Sequence, residues 1–278
     1  GVTLVVSDGL GARTERATYA RGRGIVDMPG PTTLTRDGME ATGQGVVYER
    51  DRSFVTLGKM AHVRLTGDGT RAALDIRSSR AILAHTDGYM YFDGGTKIST
   101  GTKRLDATEA TATFGDNETA LEHLELSRNA HMHSGEEIPG GLQEMTADEM
   151  TLDFEVAARV LERAQLRGDA RVHSTEPISG GLRQMCANEM VLDFEEAQDA
   201  LERARLEGGA GIELVGSNGD AGASIRAATM EITLAPDGGD VGSLVARNGV
   251  AIRLPTTSDG TQPEIRSSRL TSQSPSFA

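Results

Sequence analysis

Four stretches of this chain align without a gap at a spacing of 40 residues, and that repeat constrains the fold more than any other feature. They are "ATEATATFGDNETALEHLELSRNAHMH" from 107, "ADEMTLDFEVAARVLERAQLRGDARVH" from 147, "ANEMVLDFEEAQDALERARLEGGAGIE" from 187 and "AATMEITLAPDGGDVGSLVARNGVAIR" from 227. Each ends in three apolar or small residues spaced four and two apart: Leu126, Ala130 and Met132, then Leu166, Ala170 and Val172, then Leu206, Ala210 and Ile212, then Ala246, Val250 and Ile252. The same spacing occurs upstream at Leu57, Ala61, Val63 and at Phe92, Thr96, Ile98, which makes about six units.

Taken alone, residues 154 to 166 read as a helix, with good helix formers and Phe154, Ala158 and Leu161 on one face. The sister units refuse that reading. Where one unit has "EVAARV", another has "GDNETA" and a third "APDGGD", whose proline and glycines specify a reversal of the chain. Equivalent repeats share a backbone path, so each should turn here.

Strands are expected on both sides of the turn. Met150, Leu152 and Phe154 alternate with Thr151 and Asp153, and Met190, Leu192 and Phe194 and Met230, Ile232 and Leu234 repeat the pattern. After the turn, Leu124 and Leu126, Ala164 and Leu166, Ala204 and Leu206, and Leu244 and Ala246 keep one parity, so period 2 places them on one face. A small or polar residue, Arg128, Gly168, Gly208 or Asn248, then interrupts each long strand and predicts a twist or bulge. Each unit is thus a strand, a turn, a longer strand and a connector such as "STEPISGGLRQ".

A hairpin with one apolar face is marginal alone, and stacked hairpins build a continuous apolar lining. That lining is either a filled core or an open groove. Aromatic residues are 4% of the chain, with no tryptophan and 34 glycines, so the interior should be aliphatic, rich in turns and without large aromatic pockets.

The hairpin endings "LEGGAGIEL", "LRGDARVHS" and "LVARNGVAIRL", each preceded by a strand such as "ANEMVLDF", resemble the repeats of the OstA-like superfamily of periplasmic lipopolysaccharide-transport proteins. The segment "DGMEATGQGVVYERDRSFVTLGKMAHVRL" is similar to the core of its inner-membrane-anchored component, LptC. The resemblance spans roughly residues 25 to 254. It implies an all-β fold: an elongated, V-shaped antiparallel β-jellyroll whose interior holds acyl chains and whose strand edges join neighbouring jellyrolls end to end. It also implies a periplasmic carrier, not an enzyme, bound to lipopolysaccharide or a related lipid and to other transport proteins of its class. An inner-membrane complex would be reached through an N-terminal anchor that is absent from this chain. The inward residues Leu124, Leu126, Met132, Leu166, Val172, Leu206, Ile212 and Ile252 are the expected lipid lining. An aliphatic surface without a strong anchor suits chains that must move on, at about 0.8 kcal/mol per buried methylene.

Other chemistries find little footing. A net charge of −13 lacks the clustered Lys and Arg of a phosphate-tracking nucleic-acid binder. One cysteine, Cys186, excludes an internal disulfide framework. His131 and His133 share a strand face near Glu136, but that face is outward, and solvated surface outweighs a metal pair. The acidic "GEE" and "DFEE" clusters lack calcium-loop spacing, and "GLGAR" and "PDGGDVG" lack the strand and helix of a dinucleotide loop. No nucleophile elbow, zinc-helix or P-loop pattern occurs, and Asp153 and Asp193 read as repeated surface carboxylates. Neither a cofactor nor a metal is expected.

Residues 1 to 255 are therefore read as one β-repeat domain, and residues 256 to 278, rich in Ser, Thr and Pro, as a flexible tail. Two alternatives remain: a structural or adhesive β-solenoid with a filled interior, and an α/β repeat in which 154 to 166 and 194 to 206 are helices.

Overall fold

The computed structural model describes residues 1–5, 9–67, 73–115, 121–135, 142–155, 161–178, 181–195, 200–215, 221–234, 241–255 and 263–273. The fold is all-β: an antiparallel jellyroll in which long strands bend midway, and the described residues contain 3-10 turns at Arg21–Arg23 and Arg50–Arg52 but no α-helix. Where the sequence reading takes 1 to 255 as one domain, the chain divides into two compact units, residues 1–128 and 129–278.

In the first unit, β1 (Val2–Val5) pairs with β2 (Gly11–Thr14). Both β2 and β3 (Thr18–Ala20) pair with β4 (Ile25–Arg36). The sheet continues through β5 (Met39–Glu49) to β6 (Phe54–Leu65). The two halves of β6 then take different partners. Its end pairs with β7 (Leu74–Ser78) and its start with β8 (Arg80–Ala84), and both pair with β9 (Tyr89–Thr100), which pairs with β10 (Lys103–Phe114). β7 and β8 thus act as one strand broken at Ser79, where its neighbours bend. β11 (Leu121–Ser134) carries the boundary between the units.

The second unit is a meander of β12 (Glu144–Phe154), β13 (Leu161–Ile178), β14 (Leu182–Phe194), β15 (Leu201–Val215), β16 (Ala221–Leu234), β17 (Val241–Arg253) and β18 (Glu264–Gln273), each antiparallel to the next. Phe154 pairs with Leu161, Phe194 with Leu201 and Leu234 with Val241, so the chain reverses between the members of each pair. The helix reading fails here, because 161–166 and 201–206 are strand. Residues 156–160, 196–199 and 235–240, and 116–120 in the first unit, where the sequence predicts the turns, lie outside the described residues.

The predicted bulges are present at all four positions. Arg128, Gly168, Gly208 and Asn248 have φ of 63°, 75°, 77° and 65°, and Asn129, Asp169, Gly209 and Gly249 beside them are also positive. Two consecutive residues in the left-handed region turn an extended strand sharply, a conformation that glycine and asparagine adopt at least cost. The register records the extra residue: Arg167 and Ala170 on β13 face Glu189 and Ala187 on β14. Alanine occupies the inside of this bend at 170, 187, 210 and 227, all buried, where a longer side chain would fill the angle between the arms.

Two assignments change. The connector is shorter than the sequence predicts: β13 runs through Ile178, β14 starts at Leu182, and Leu182 and Met185 are buried. The segment from 256 is not wholly a flexible tail either, because Glu264–Gln273 is a strand in register with β17.

Candidate functional site

Cross-strand register assembles the inward residues of the second unit into two apolar rows. On one arm, Met150, Leu166, Met190, Leu206 and Met230 stand opposite one another in sequence from β12 to β16. On the other arm, Met145, Val172, Met185, Ile212 and Ile225 do the same, and the row ends at Ile252 and Ile265. Unbranched methionine alternating with leucine fills gaps between neighbouring rungs, as a soft side chain does in an irregular core.

Seven of the eight expected lining residues are buried: Leu124, Leu126, Met132, Leu166, Val172, Leu206 and Ile212. Leu166 and Leu206 are both 0% exposed. Ile252 is half-buried, at the end of the row where Ile265 is 52% exposed. Within the second unit, Leu166, Val172, Leu206 and Ile212 lie in these rows and are closed in by their neighbours.

An opening lies elsewhere, in the first unit. A cavity of about 90 Å3 is lined by Leu10, Met39, Val55, Leu83, Met90 and Phe114, with Tyr48 and Tyr89 adding rings. Its polar edge carries Arg36, Asp37, Ser53 and His85. Met39 and Tyr48 are at opposite ends of β5, which therefore bends far enough to bring both ends to one mouth. Two backbone hydrogen bonds pin the lips: the Thr66 amide donates to the Gly38 carbonyl at 2.9 Å, and the Phe114 amide to the Gly88 carbonyl at 2.9 Å.

This mouth corrects the composition argument. The chain has only four tyrosines and six phenylalanines, yet Tyr48, Tyr89 and Phe114 meet here. Phe54 packs edge-on to Tyr89 with ring centroids 6.4 Å apart, and the Arg52 guanidinium sits 4.4 Å from the Phe54 ring centroid. An overall percentage carries no information about clustering, and Tyr48, Phe54 and Tyr89 belong to the divergent early units, where the 40-residue alignment does not reach.

No family model matches this chain, and no curated protein does. The solved structure of LptH, described as the LptA-homologous periplasmic component of the lipopolysaccharide transport device from Pseudomonas aeruginosa, is similar over 38% of this chain and 76% of that one. The identity is 14% and the TM-score 0.36.

The remaining sequence candidates take ordinary partners. His131 bonds Glu144 at 2.9 Å on the outer face, His133 is exposed, and Glu136 lies outside the described residues. Arg163 donates to Asp193 at 2.8 Å and stands opposite Asp153 as well, so both repeated carboxylates flank an arginine. That bond and the Asp193 charge hold the Arg163 guanidinium above its ordinary range. Cys186 is half-buried and free. No described helix is long and apolar enough to cross a membrane.

Proposed function

We propose that the protein is a non-enzymatic lipid carrier of the OstA-like class, nearest the anchored component by its sequence, that holds acyl chains of lipopolysaccharide or a related lipid against the inner faces of its bent strands. It works in the periplasm and meets other transport proteins of its class through strand edges, β18 with its exposed Ile265 among them. The observation that carries the reading is the mouth of the first unit, where an aliphatic inner face reaches solvent between two pinned lips. At about 90 Å3 the cavity has the apolar wall and polar edge of a small-molecule site but, against the usual ~300–1,000 Å3, room for a chain end only.

The closed rows of the second unit favour a second reading, a structural β-solenoid without ligand, because Leu166 and Leu206 leave no accessible surface. One experiment separates the two. A photo-crosslinking residue is placed at Met39 in the mouth, at Leu206 in the closed row and at outward Arg203, and each variant is irradiated with lipopolysaccharide. The carrier labels at Met39, and at Leu206 once chains enter, with Arg203 dark; equal labelling everywhere, or none, leaves the solenoid.

A further inference from the structure

The two 3-10 turns of the first unit lie side by side and carry the same kind of charge. Arg21–Arg23 joins β3 to β4, and Arg50–Arg52 joins β5 to β6. Ile25 at the start of β4 stands opposite Glu49 at the end of β5, and the Arg50 amide donates to the Gly24 carbonyl at 3.0 Å, so the turns form one tip. Each turn closes on a residue in the left-handed region, Gly24 with φ 64° and Ser53 with φ 52°. Arg21, Arg23, Arg50 and Arg52 are all exposed there.

The four arginines are not equivalent. Arg50 donates to Asp51 at 3.2 Å and to the Tyr19 hydroxyl at 3.3 Å, and Arg52 lies 3.9 Å from Glu49 and over the Phe54 ring. These two are balanced by the carboxylates beside them. Arg21 and Arg23 make no side-chain hydrogen bond or ion pair among the described residues. Asp27, the next carboxylate along β4, stands about 7 Å behind Ile25 at the ordinary strand rise. The tip therefore ends in two uncompensated positive charges, beside Tyr19, which is 50% exposed.

That surplus contrasts with the rest of the chain. Residues 129–278 hold 12 basic and 24 acidic residues, whereas 1–128 hold 16 and 17. An anionic surface thus repels the second unit and is met favourably at a basic point such as this one.

We infer that this tip docks the protein on an anionic bilayer surface, with the Arg21 and Arg23 guanidiniums on lipid phosphates and the Tyr19 ring at headgroup depth. Arginine meets phosphate with a fork of donors, and tyrosine has the apolar body and polar end that suit a membrane–water boundary. A bilayer fits the tip better than an acidic protein does. Two three-residue turns fall far short of the ~800 Å2 that each partner gives to a stable protein interface, whereas a membrane can be touched at a point. Each basic residue brought within a Debye length of an anionic leaflet strengthens partitioning about fivefold, so the two free arginines contribute roughly 25-fold, a reversible contact. Docking goes beyond the carrier reading and needs nothing on the inner face.

The test is flotation of the full chain with vesicles of phosphatidylcholine, alone or with about 30% phosphatidylglycerol, at low salt and at about 0.5 M NaCl. Anionic vesicles should bind at least tenfold better than neutral ones, and salt should remove most of that advantage. Arg21→Gln with Arg23→Gln should cut binding to anionic vesicles at least tenfold. Arg226→Gln with Arg247→Gln, which removes the same charge from exposed positions of the second unit, should change it less than twofold. Because the chain has no tryptophan, Tyr19→Trp supplies a single reporter, whose emission should move to shorter wavelength on anionic vesicles and be quenched by brominated lipid. Heat-denaturation midpoints confirm that each variant is folded, and the lipid and salt comparisons on the unaltered chain stand without them. Equal binding to both kinds of vesicle, equal loss in the two arginine pairs, or an indole that stays unquenched overturns the bilayer contact. Release by millimolar glycerol phosphate overturns it in favour of free phosphate. Capture on immobilised polyglutamate that needs Arg21 and Arg23, with vesicles unbound, overturns it in favour of an acidic protein. Each of these outcomes leaves the carrier reading to the Met39 crosslink.

Discussion

Gly208 on β15 lies against Asn188 on β14 so closely that a Cβ added to the glycine would stand 2.8 Å from the Asn188 Cβ. Its neighbour Gly209 has nothing within 4 Å of the same position, although both have positive φ. The pair separates two costs of the bend. Gly208→Val should suffer both strain and collision and lose about 2 to 4 kcal/mol of stability, whereas Gly209→Asn should lose under about 1 kcal/mol. Denaturant unfolding of the two variants measures this, and equal losses would mean that crowding against β14 is irrelevant.

The closed apolar rows make a second prediction. Leu206 stands between Met190 and Met230 with no exposed surface, so Leu206→Ala should cost about 2 to 5 kcal/mol through lost burial and a residual cavity. Ile252→Ala, at the half-buried end of the other row, should cost less than half as much. A thermal shift larger for Ile252→Ala than for Leu206→Ala would show that the interior is looser than its packing.

The repeat made the strands, the bends and the inner face of the second unit legible, because Leu166, Leu206 and their equivalents recur at fixed spacing and Gly168 or Asn248 can only mean a local departure from extended backbone. The mouth was not legible. Arg36 and His85 become inward residues only once the registers of β4 and β8 are known, and no repeat marks them. β18 stayed hidden for a related reason. Its positions opposite Ile252, Val250, Ala246 and Leu244 are Ile265, Ser267, Leu270 and Ser272, so serine at every other inward site erases the alternation. A strand at the end of a stack buries little, and its sequence is correspondingly polar.

Acid should loosen the first unit through Asp75. This carboxylate accepts from His62 at 2.8 Å, Arg64 at 3.3 Å and Arg77 at 3.2 Å. Partial burial works to raise its pKa, but the bond and charge of His62, helped by Arg64 and Arg77, outweigh that and hold it below the ordinary carboxylate range. A depressed folded pKa means stabilisation that is full above the unfolded value of about 4 and disappears as pH falls through the lower folded value. The stability gap between wild type and Asp75→Asn should therefore shrink as the pH falls below about 4. Denaturation midpoints from pH 2.5 to 7 test the sign, and a gap that widens in acid would contradict it.

β18 bears on whether the end of the second unit is finished by the chain's own strand. It pairs with β17 from Arg253 opposite Glu264 to Ser243 opposite Gln273, and Glu264 reaches across to Arg253 at 3.3 Å and along its own strand to Arg266 at 2.7 Å. Those ion pairs are exposed and contribute little, so the strand is held mainly by its backbone ladder and by Ile265 and Leu270 against Ile252 and Ala246. Replacing Leu270 with proline removes an amide and fixes φ in the middle of that ladder. Hydrogen exchange at the β17 amides should then rise by one to two orders of magnitude while β13 to β15 stay protected, because opening begins at the end of the stack. A uniform rise across all strands would mean that β18 is integral to one cooperative unit. Unchanged exchange in β17 would mean that the two strands do not depend on each other.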